Sequence, residues 1–257
     1  MYKDKFKEHF IEIKLVIVEE LENMEQYVKC NKVDFAINRS RNHIMGELLE
    51  QKGVRVFNSS SVTRIANNKG ITYEFLKDVV PFLAVKYGNE IIESKIENKG
   101  FEYPYVIKSC SGHGGSQVFL VNNSKEEEQA VKAMNGQEYV VQQCCSDLGR
   151  DVRVYIIGNK IIKAVLRTST ESFKSNYSLG GKVQEYTLNN EEKAMVERIV
   201  DKLPLDYAGI DFTFHNGKAV FNEIEDAVGA KKCYIRMSDI DIVEMYIKYI
   251  LEKLSKE

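Results

Sequence analysis

Long apolar runs are absent from this sequence of 257 residues. No stretch approaches the roughly 18 consecutive apolar residues of a transmembrane helix, so the sequence predicts no membrane span. The first ten residues, MYKDKFKEHF, are charged and lack the apolar segment of a secretory signal peptide. A formal net charge of -2 gives no basic excess for binding nucleic acid. These absences argue against a membrane protein, a secreted protein and a nucleic-acid-binding protein.

Paired cysteines are also missing. The five cysteines are an odd number and include no C-x-x-C pair, which favours reduced thiols in the cytoplasm over a disulfide framework. The four histidines occur singly, so the sequence indicates no zinc site. Only three prolines occur, which leaves few obvious linkers. We therefore expect a cytoplasmic protein without disulfides or structural zinc.

Alternating strand and helix patterns divide the chain into three units. Residues 1–68 are predicted to form a small α/β unit with a parallel sheet, beginning with a strand at 13–18. Residues 69–137 contain two strands around a Ser/Gly-rich loop, with a helix on each side. Residues 138–257 are rich in strands and end with helices. The expected fold class is α/β, of the mixed α+β kind.

The stretch YAGIDFTFHNGKAVFNEIED predicts a β-hairpin, because Asn-Gly lies between two alternating strands. A two-residue loop would put Asp211 and Glu223 on opposite faces, whereas a three-residue loop at 215–217 would make them diagonal neighbours on one face. We expect the three-residue loop because it sorts the apolar residues onto one face and leaves only Phe221 with the acids. The expected apolar face comprises Ile210, Phe212, Phe214, Val220 and Ile224.

Three carboxylates, Asp211, Glu223 and Glu225, would share the acidic face of this hairpin. Like charges so close repel each other unless a cation lies among them. A few carboxylates together with substrate phosphates suit Mg²⁺ or Mn²⁺. The same acids could instead form a solvated face paired to Arg153 or Arg167, and the hairpin alone leaves both interpretations open.

A loop rich in serine and glycine, Ser109–Ser116, lies between the predicted strands YVIKS and QVFLV. It is neither a P-loop nor a dinucleotide fingerprint, since neither G-x-x-x-x-G-K-[ST] nor G-x-G-x-x-G occurs. Glycines nevertheless let backbone N–H groups approach an anion closely. Lys108 and Lys69 would add positive charge beside such an anion. The alternative is a mobile hairpin tip.

Several motifs follow one another along residues 33–245. They are NNK ending at Lys69, VIK ending at Lys108 before the Ser/Gly loop, VQQCCSDLGRDVRVYIIGNKIIKAVLR at 141–167, FKSNYSLGG at 173–181, and AGIDF with NEIE in the hairpin. Together they resemble the ATP-grasp superfamily, most closely the RimK-like branch of the glutathione-synthetase-type carboxylate–amine ligases. In that family the corresponding motifs open the ATP-binding region, precede the phosphate lid, form the adenine hinge and hold magnesium.

The resemblance implies an ATP-grasp fold, in which two α+β subdomains clasp ATP behind a small N-terminal domain that is shortened here. It implies ATP with Mg²⁺ or Mn²⁺ as cofactors, and formation of an amide or peptide bond through an acyl phosphate with release of ADP and phosphate. The partners would be a carboxylate and an amine, each a small molecule or a peptide. Because relatives often form dimers or tetramers, a homo-oligomer is also expected.

The resemblance further assigns roles to individual residues. Arg153 and Arg167 would hold the transferring phosphoryl group or the acceptor carboxylate, since a planar fork suits oxyanions, and Asn176 would lie near the same centre. The residues implied in metal binding are Asp211, Glu223 and Glu225. The residues implied in ATP binding are Lys69 and Lys108 at the phosphates, Ser111, Gly112, Gly114 and Gly115 in the lid, the backbones of Gln143 and Cys145 at the adenine, and Asp147 at the ribose.

The chain departs from the family pattern at Glu225, where Asn is usual, and at Lys174, where Arg is usual. These departures and the short N-terminal unit leave two other activities open: a phosphotransferase that needs no amine, and a nucleotide-binding module without turnover. Arg39, Arg41 and His43 follow a predicted strand at its C-terminal end, where α/β folds commonly place ligands. They are candidate contacts to the acceptor substrate, or else a solvated basic turn.

Overall fold

The computed structural model describes residues 2–88, 101–115, 117–174, 182–229 and 240–256. Its helices are α1 (Tyr2–Glu8), α2 (Met24–Cys30), α3 (His43–Glu50), α4 (Ser60–Ala66), α5 (Lys69–Leu76), α6 (Ser124–Met134), α7 (Asn190–Lys202) and α8 (Ile242–Leu254). Its strands are β1 (Phe35–Ile37), β2 (Arg55–Phe57), β3 (Val85–Tyr87), β4 (Tyr105–Ser109), β5 (Val118–Val121), β6 (Tyr139–Gln143), β7 (Arg150–Ile157), β8 (Lys160–Thr168), β9 (Lys182–Glu185), β10 (Tyr207–His215) and β11 (Lys218–Glu225). None of the helices in these ranges is long and apolar enough to cross a membrane.

The N-terminal unit is built on two short parallel strands. β1 pairs with β2, and an apolar cluster of Val28, Met45, Leu49 and Val56 joins α2, α3 and β2. Each helix begins with an asparagine side chain that accepts a backbone N–H, Asn23 for α2 and Asn42 for α3, as is usual at helix N-termini. The predicted parallel pairing is therefore confirmed for two strands.

The strand expected at 13–18 is wrong. Residues 11–17 make no ladder with any described strand, and a 3₁₀ turn follows at Val18–Glu20. Leu15 is 83% exposed, whereas Ile11 and Ile13 pack against the cluster around α8. The segment has strand propensity but lacks a neighbouring strand, and propensity depends on such packing.

A four-stranded antiparallel sheet, in the order β3-β6-β4-β5, forms the next layer. One face packs against α6, because Tyr105 and Ile107 share a cluster with Ala130 and Met134. Successive side chains of a strand point to opposite faces. Lys108 therefore projects from the other face of β4, and the Ser/Gly loop joins β4 to β5 at its end.

A five-stranded antiparallel sheet, in the order β11-β10-β7-β8-β9, forms the largest layer. One face is apolar throughout and packs on α7, through residues such as Val154, Phe212 and Ile199. The other face changes character along its length. Tyr155 and Tyr207 pack with α8 at one end, and charged side chains occupy the remainder of that face.

The β10–β11 turn has two residues, not the expected three. His215 pairs with Lys218, and Asn216 and Gly217 both have left-handed backbones, with φ of 51° and 75°. Two left-handed residues match the twist of a hairpin, which is why Asn-Gly is favoured there. The predicted hairpin is therefore confirmed, and the predicted loop length is wrong.

The odd residue lies in the strand instead, as a bulge at Asn222. Beyond this bulge Asp211 and Glu223 are directly opposite each other. They share a face, as expected, but as cross-strand partners and not as diagonal neighbours. Because the bulge lies after Phe221, that residue is fully buried in the apolar core, and Val220 pairs with Thr213 on the acidic side. The expected positions of Phe221 and Val220 are therefore wrong.

Gly217→Ala should lower the free energy of unfolding by about 1 kcal/mol, because an L side chain at positive φ is strained. A Cβ at this position would meet no atom within 4 Å, so the loss isolates the backbone cost from any clash. Urea denaturation measures it, with the exposed Lys218→Ala as the control. A loss no larger than that of the control would contradict the left-handed turn.

Candidate functional site

A cleft separates the four-stranded sheet from the charged face of the five-stranded sheet. The Ser/Gly loop covers one side, and the segment after β6 covers another. The cleft is lined by Lys69, Leu83, Val106, Lys108, Gly112, Gly114, Gly115, Val118, Gln142, Gln143, Cys145, Asp147, Leu148, Gly149, Arg150, Asp151, Phe173, Lys174, Thr213, Asn222 and Glu223. Of the residues assigned to ATP from the sequence, only Ser111 is missing from this lining; it is exposed on the loop.

Two lysines hold the Ser/Gly loop by its backbone carbonyls. The ammonium group of Lys69 donates to the Gly112 carbonyl at 2.7 Å, and that of Lys174 donates to the Gly115 carbonyl at 2.5 Å. Gly114 and Gly115 have φ of 62° and 78°, so the loop adopts a backbone that favours glycine. The loop is thus folded down over the cleft by positive charges that also line it.

Lys108 lines the cleft from β4. Its side chain is 9% exposed, and its ammonium group donates to Oδ1 of Asn222 at 2.8 Å. Burial, only partly opposed by the charge of Glu223, lowers the pKa of Lys108 to about 8. The bulge residue Asn222 therefore has two effects. It shifts the register of the β10–β11 pair, and its side chain fixes the Lys108 ammonium group.

The segment after β6 only partly matches its predicted role. The backbone N–H of Gln143 already donates to the Ala84 carbonyl at 2.9 Å, so this donor is not open to an adenine ring. The side chain of Asp147 accepts from Ser146 at 2.9 Å and lies 3.5 Å from Arg150. Burial raises the pKa of the neighbouring Cys144 thiol to about 11, which is consistent with a packing role.

A buried ion network lies beneath the cleft on the face of β7, β8 and β10. Asp211 is 1% exposed, and each of its two oxygens accepts from Arg153 at 2.7 Å. Arg167 donates to Asp211 at 2.7 Å and also to Asp151 at 2.5 and 2.7 Å. Burial opposes ionisation of Asp211, but the two arginines outweigh it and lower the pKa of the carboxyl to about 2. Arg153 and Arg167 are therefore bound to carboxylates and do not line the cleft.

The network continues to the N-terminal unit through Glu225. One carboxylate oxygen of Glu225 lies 2.7 Å from Nη2 of Arg153, and the other lies 3.4 Å from Nη2 of Arg41. Gly209 leaves room for the Arg153 side chain, because a Cβ there would lie 3.3 Å from Cδ of Arg153 and 3.0 Å from Val228. A glycine two residues before Asp211 thus gives the arginine side chain room that a Cβ would narrow.

The three acids assigned to a metal are not brought together as a set. Glu223 lines the cleft and lies 3.7 Å from Lys69, whereas Asp211 and Glu225 are both held by Arg153. Among the described residues, no three His, Cys, Asp or Glu side chains are grouped so that they could hold a metal ion. The three-carboxylate set therefore does not fit a metal in this arrangement. Glu223 by itself fits the coordination preference of Mg²⁺, which binds one or two protein carboxylates and completes its coordination shell with substrate phosphates.

Sequence reasoning missed the structural part played by Asn222 and Lys174. A bulge is not visible in the alternation of a strand, so nothing marked Asn222 apart from its place beside the acids. Lys174 was noted only as a departure from arginine. Asn176, the third residue assigned to the reacting centre, lies outside the described residues.

Two sheets that enclose a lysine-lined cleft beneath a glycine-rich loop define an ATP-grasp protein. The crystal structure of a RimK domain ATP-grasp protein from Sphaerobacter thermophilus aligns with a TM-score of 0.77 at 20% identity, over 96% of this chain and 93% of that one. The model of the RimK-like ATP-grasp domain matches residues 60–250, and this chain belongs to that family. The predicted fold class and family are confirmed.

Two relatives extend the comparison. Uncharacterized protein MG011 of Mycoplasma genitalium is 32% identical over 243 residues, which cover 94% of this chain and 82% of that protein. A probable alpha-L-glutamate ligase of Haemophilus ducreyi is 25% identical over 207 residues, which cover 78% of this chain and 67% of that protein. Membership of the family supports an ATP-dependent ligase.

The affinity for the nucleotide analogue AMPPNP should fall about tenfold between pH 7 and pH 9, because phosphate binds the charged form of Lys108, whose pKa is about 8. Calorimetric titrations across this range measure the change. Lys108→Met should bind more weakly at pH 7 and lack this component of the pH dependence. The same pH dependence in both proteins would remove Lys108 from the nucleotide site.

Asp211→Asn should lower the free energy of unfolding at pH 7 by about 3–5 kcal/mol, because it leaves two buried guanidinium groups without their shared charge. The folded pKa of Asp211 is below the unfolded value, so its contribution is present above about pH 4 and is lost as the pH falls toward 2. Urea denaturation at pH 7 and at low pH measures this, with the exposed Asp201→Asn as control. A loss equal to the control's would show that the network contributes nothing.

Proposed function

We propose that this chain is an ATP-dependent carboxylate–amine ligase that forms an amide or peptide bond. The observation that carries the proposal is the cleft itself. Lys69 and Lys108 project into it beneath a loop of glycine N–H groups, and Glu223 faces them from the other sheet. This arrangement suits a triphosphate, whose negative charge needs lysines and backbone donors on one side.

The proposed reaction has two steps. A carboxylate oxygen of the acid attacks the γ-phosphorus of ATP, and the bond from that phosphorus to the ADP oxygen breaks. The amine nitrogen then attacks the carbonyl carbon of the acyl phosphate, phosphate leaves, and the nitrogen loses a proton. Both steps depend on positioning and on neutralising charge.

In this proposal the chain's own groups bind and shield the phosphates. Lys69 and Lys174 exchange their loop carbonyls for phosphate oxygens, while Lys108 stays fixed by Asn222. The loop, folded over the cleft, keeps water from the acyl phosphate. Arg153 and Arg167 keep the charged floor of the cleft in place by binding Asp211.

Magnesium is proposed to enter with the nucleotide, with Glu223 as its protein ligand beside the phosphate oxygens. When bound it would neutralise charge on the phosphates. The acid and amine are proposed to be small molecules or peptides. A glutamate residue is the first acid to test, because a relative is named a probable alpha-L-glutamate ligase.

One observation favours a second candidate, a nucleotide-binding module without turnover. Arg153 holds both Asp211 and Glu225, so two of the three expected metal ligands are occupied by a guanidinium. Such a module would bind Mg·AMPPNP and release no ADP over a broad range of acids and amines.

The ligase should release ADP and form a hydroxamate when it is given Mg·ATP, hydroxylamine and a panel of amino acids and short peptides as acids. Glu223→Gln should reduce this turnover at least about 100-fold, because the phosphates lose their metal-binding carboxylate, whereas the exposed Glu197→Gln should retain it. Enzyme-coupled ADP detection and a colorimetric hydroxamate assay measure both products.

Other outcomes identify the alternatives. ADP release that depends on an acceptor but gives no hydroxamate would indicate a phosphotransferase. Nucleotide binding without ADP release would indicate the binding module. Full turnover by Glu223→Gln would remove that residue from the site.

A further inference from the structure

A short loop of the N-terminal unit, residues 38–42, reaches the ion network from outside. It follows β1 and is fixed by its own side chains. Oδ1 of Asn38 accepts from the backbone N–H of Ser40 at 3.1 Å and from its hydroxyl at 2.7 Å. Nδ2 of Asn38 donates to the Asn42 carbonyl at 2.9 Å. The loop is therefore a preformed turn at the C-terminal end of β1.

This turn holds Arg41 in an unfavourable backbone conformation. Its φ is 63°, a left-handed region that is unfavourable for a non-glycine residue and that persists where the surroundings impose it. The side chain is 34% exposed, and its contact to Glu225 is long, at 3.4 Å. An arginine has five N–H donors, and among the residues that the structure describes Arg41 uses one of them on Glu225. The other donors are left for a ligand.

The neighbouring arginine provides a contrast. Arg39 donates to the carbonyls of Ala227 and Val228 at 2.9 and 2.6 Å, and its guanidinium stacks over the ring of Tyr207. Arg39 therefore joins the N-terminal unit to the strand-rich unit. Arg41, two residues later, contacts Glu225 of the strand-rich unit instead.

Glu225 connects Arg41 to the buried network. Its two oxygens face different arginines, Arg153 at 2.7 Å and Arg41 at 3.4 Å. A carboxylate between two guanidinium groups is stabilised where it lies, and both oxygens of Glu225 are engaged by arginines. An asparagine at this position, which the family pattern would supply, would carry no charge to balance the two arginines.

We propose that Glu225 is an arginine-positioning residue rather than a metal ligand, and that it holds Arg41 to bind an anionic group on the acid substrate. The anionic group is a second one, distinct from the carboxylate that ATP activates, because Arg41 lies outside the lining of the nucleotide cleft. The proposal rests on the ligase function and names its substrate class: an acid with at least two negative groups.

The metal part is tested by titrating Mn²⁺ into the protein with saturating AMPPNP and following the free ion by electron paramagnetic resonance. Glu225→Gln should change the dissociation constant less than about threefold, whereas Glu223→Gln should raise it at least about tenfold. An equal rise in both variants would overturn the role of Glu225. If neither variant changes the affinity, Glu225 is still not a ligand, and the error lies in the proposed place of Glu223.

The substrate part is tested with two probe acids of matched shape, N-acetyl-L-glutamate and N-acetyl-L-glutamine, titrated calorimetrically into the AMPPNP-loaded protein. Only the first has a second carboxylate. The wild-type protein should prefer it at least about tenfold, as expected for a hydrogen bond to a charged group. Arg41→Gln and Glu225→Gln should each reduce the preference to less than about threefold, while the exposed Arg64→Gln should retain it.

The double variant Arg41→Gln/Glu225→Gln should lose no more preference than either single variant, since the two residues act as one unit. No preference in the wild-type protein, no binding of either probe, or a preference retained by Arg41→Gln would overturn the proposal. AMPPNP binding is measured first. Its absence would mean failure of the ligase function, whereas nucleotide binding without acid preference would mean failure of the Arg41 proposal alone.

Discussion

Arg153 is the residue on which the arrangement of the site depends. It is buried, so its charge requires partners, and it has two: Asp211 on the strand beside it and Glu225 on the next one. Arg167 and Asp151 complete the charge balance on the other side of Asp211. Removing one member would leave a buried charge without a partner in a low-dielectric environment, which is destabilising. The sheet face can therefore carry charge beneath the cleft only because the whole set is present.

In the β10–β11 hairpin, the shared face of Asp211 and Glu223 was predicted correctly although the predicted loop length was wrong. Whether Asp211 and Glu223 share a face depends on whether the number of unpaired residues between them, in the turn and in any bulge, is odd or even. The hydrophobic pattern determines that parity. The pattern does not determine where the odd residue lies. The Asn-Gly sequence takes a two-residue turn, and the extra residue moves to Asn222. The acids were therefore predicted on the right face, while Phe221 and Val220, between turn and bulge, were not.

Other features depend on non-local pairing and so could not be read from the sequence. Residues 13–18 have strand propensity but no partner strand. The N–H of Gln143 donates to the carbonyl of Ala84, which lies just before β3, the neighbour of β6 in the sheet. The motifs identified the family and assigned nine of the residues that line the cleft. The guanidinium contacts that separate Asp211 and Glu225 from Glu223 depend on side-chain geometry. The division of the chain at residues 68 and 137 stays a prediction.

The two lysines that hold the glycine-rich loop have a consequence for ligand entry. An ammonium group that leaves water loses hydration free energy, and a site that must dehydrate its cations on binding loses affinity accordingly. Lys69 is 11% exposed and Lys174 is half-buried, and both are already bound to loop carbonyls, those of Gly112 and Gly115. An incoming polyanion therefore replaces one set of oxygen acceptors with another. In the proposed function, the same exchange frees the loop from the two lysines and gives the lysines to the phosphate oxygens. The ammonium groups then need little further desolvation.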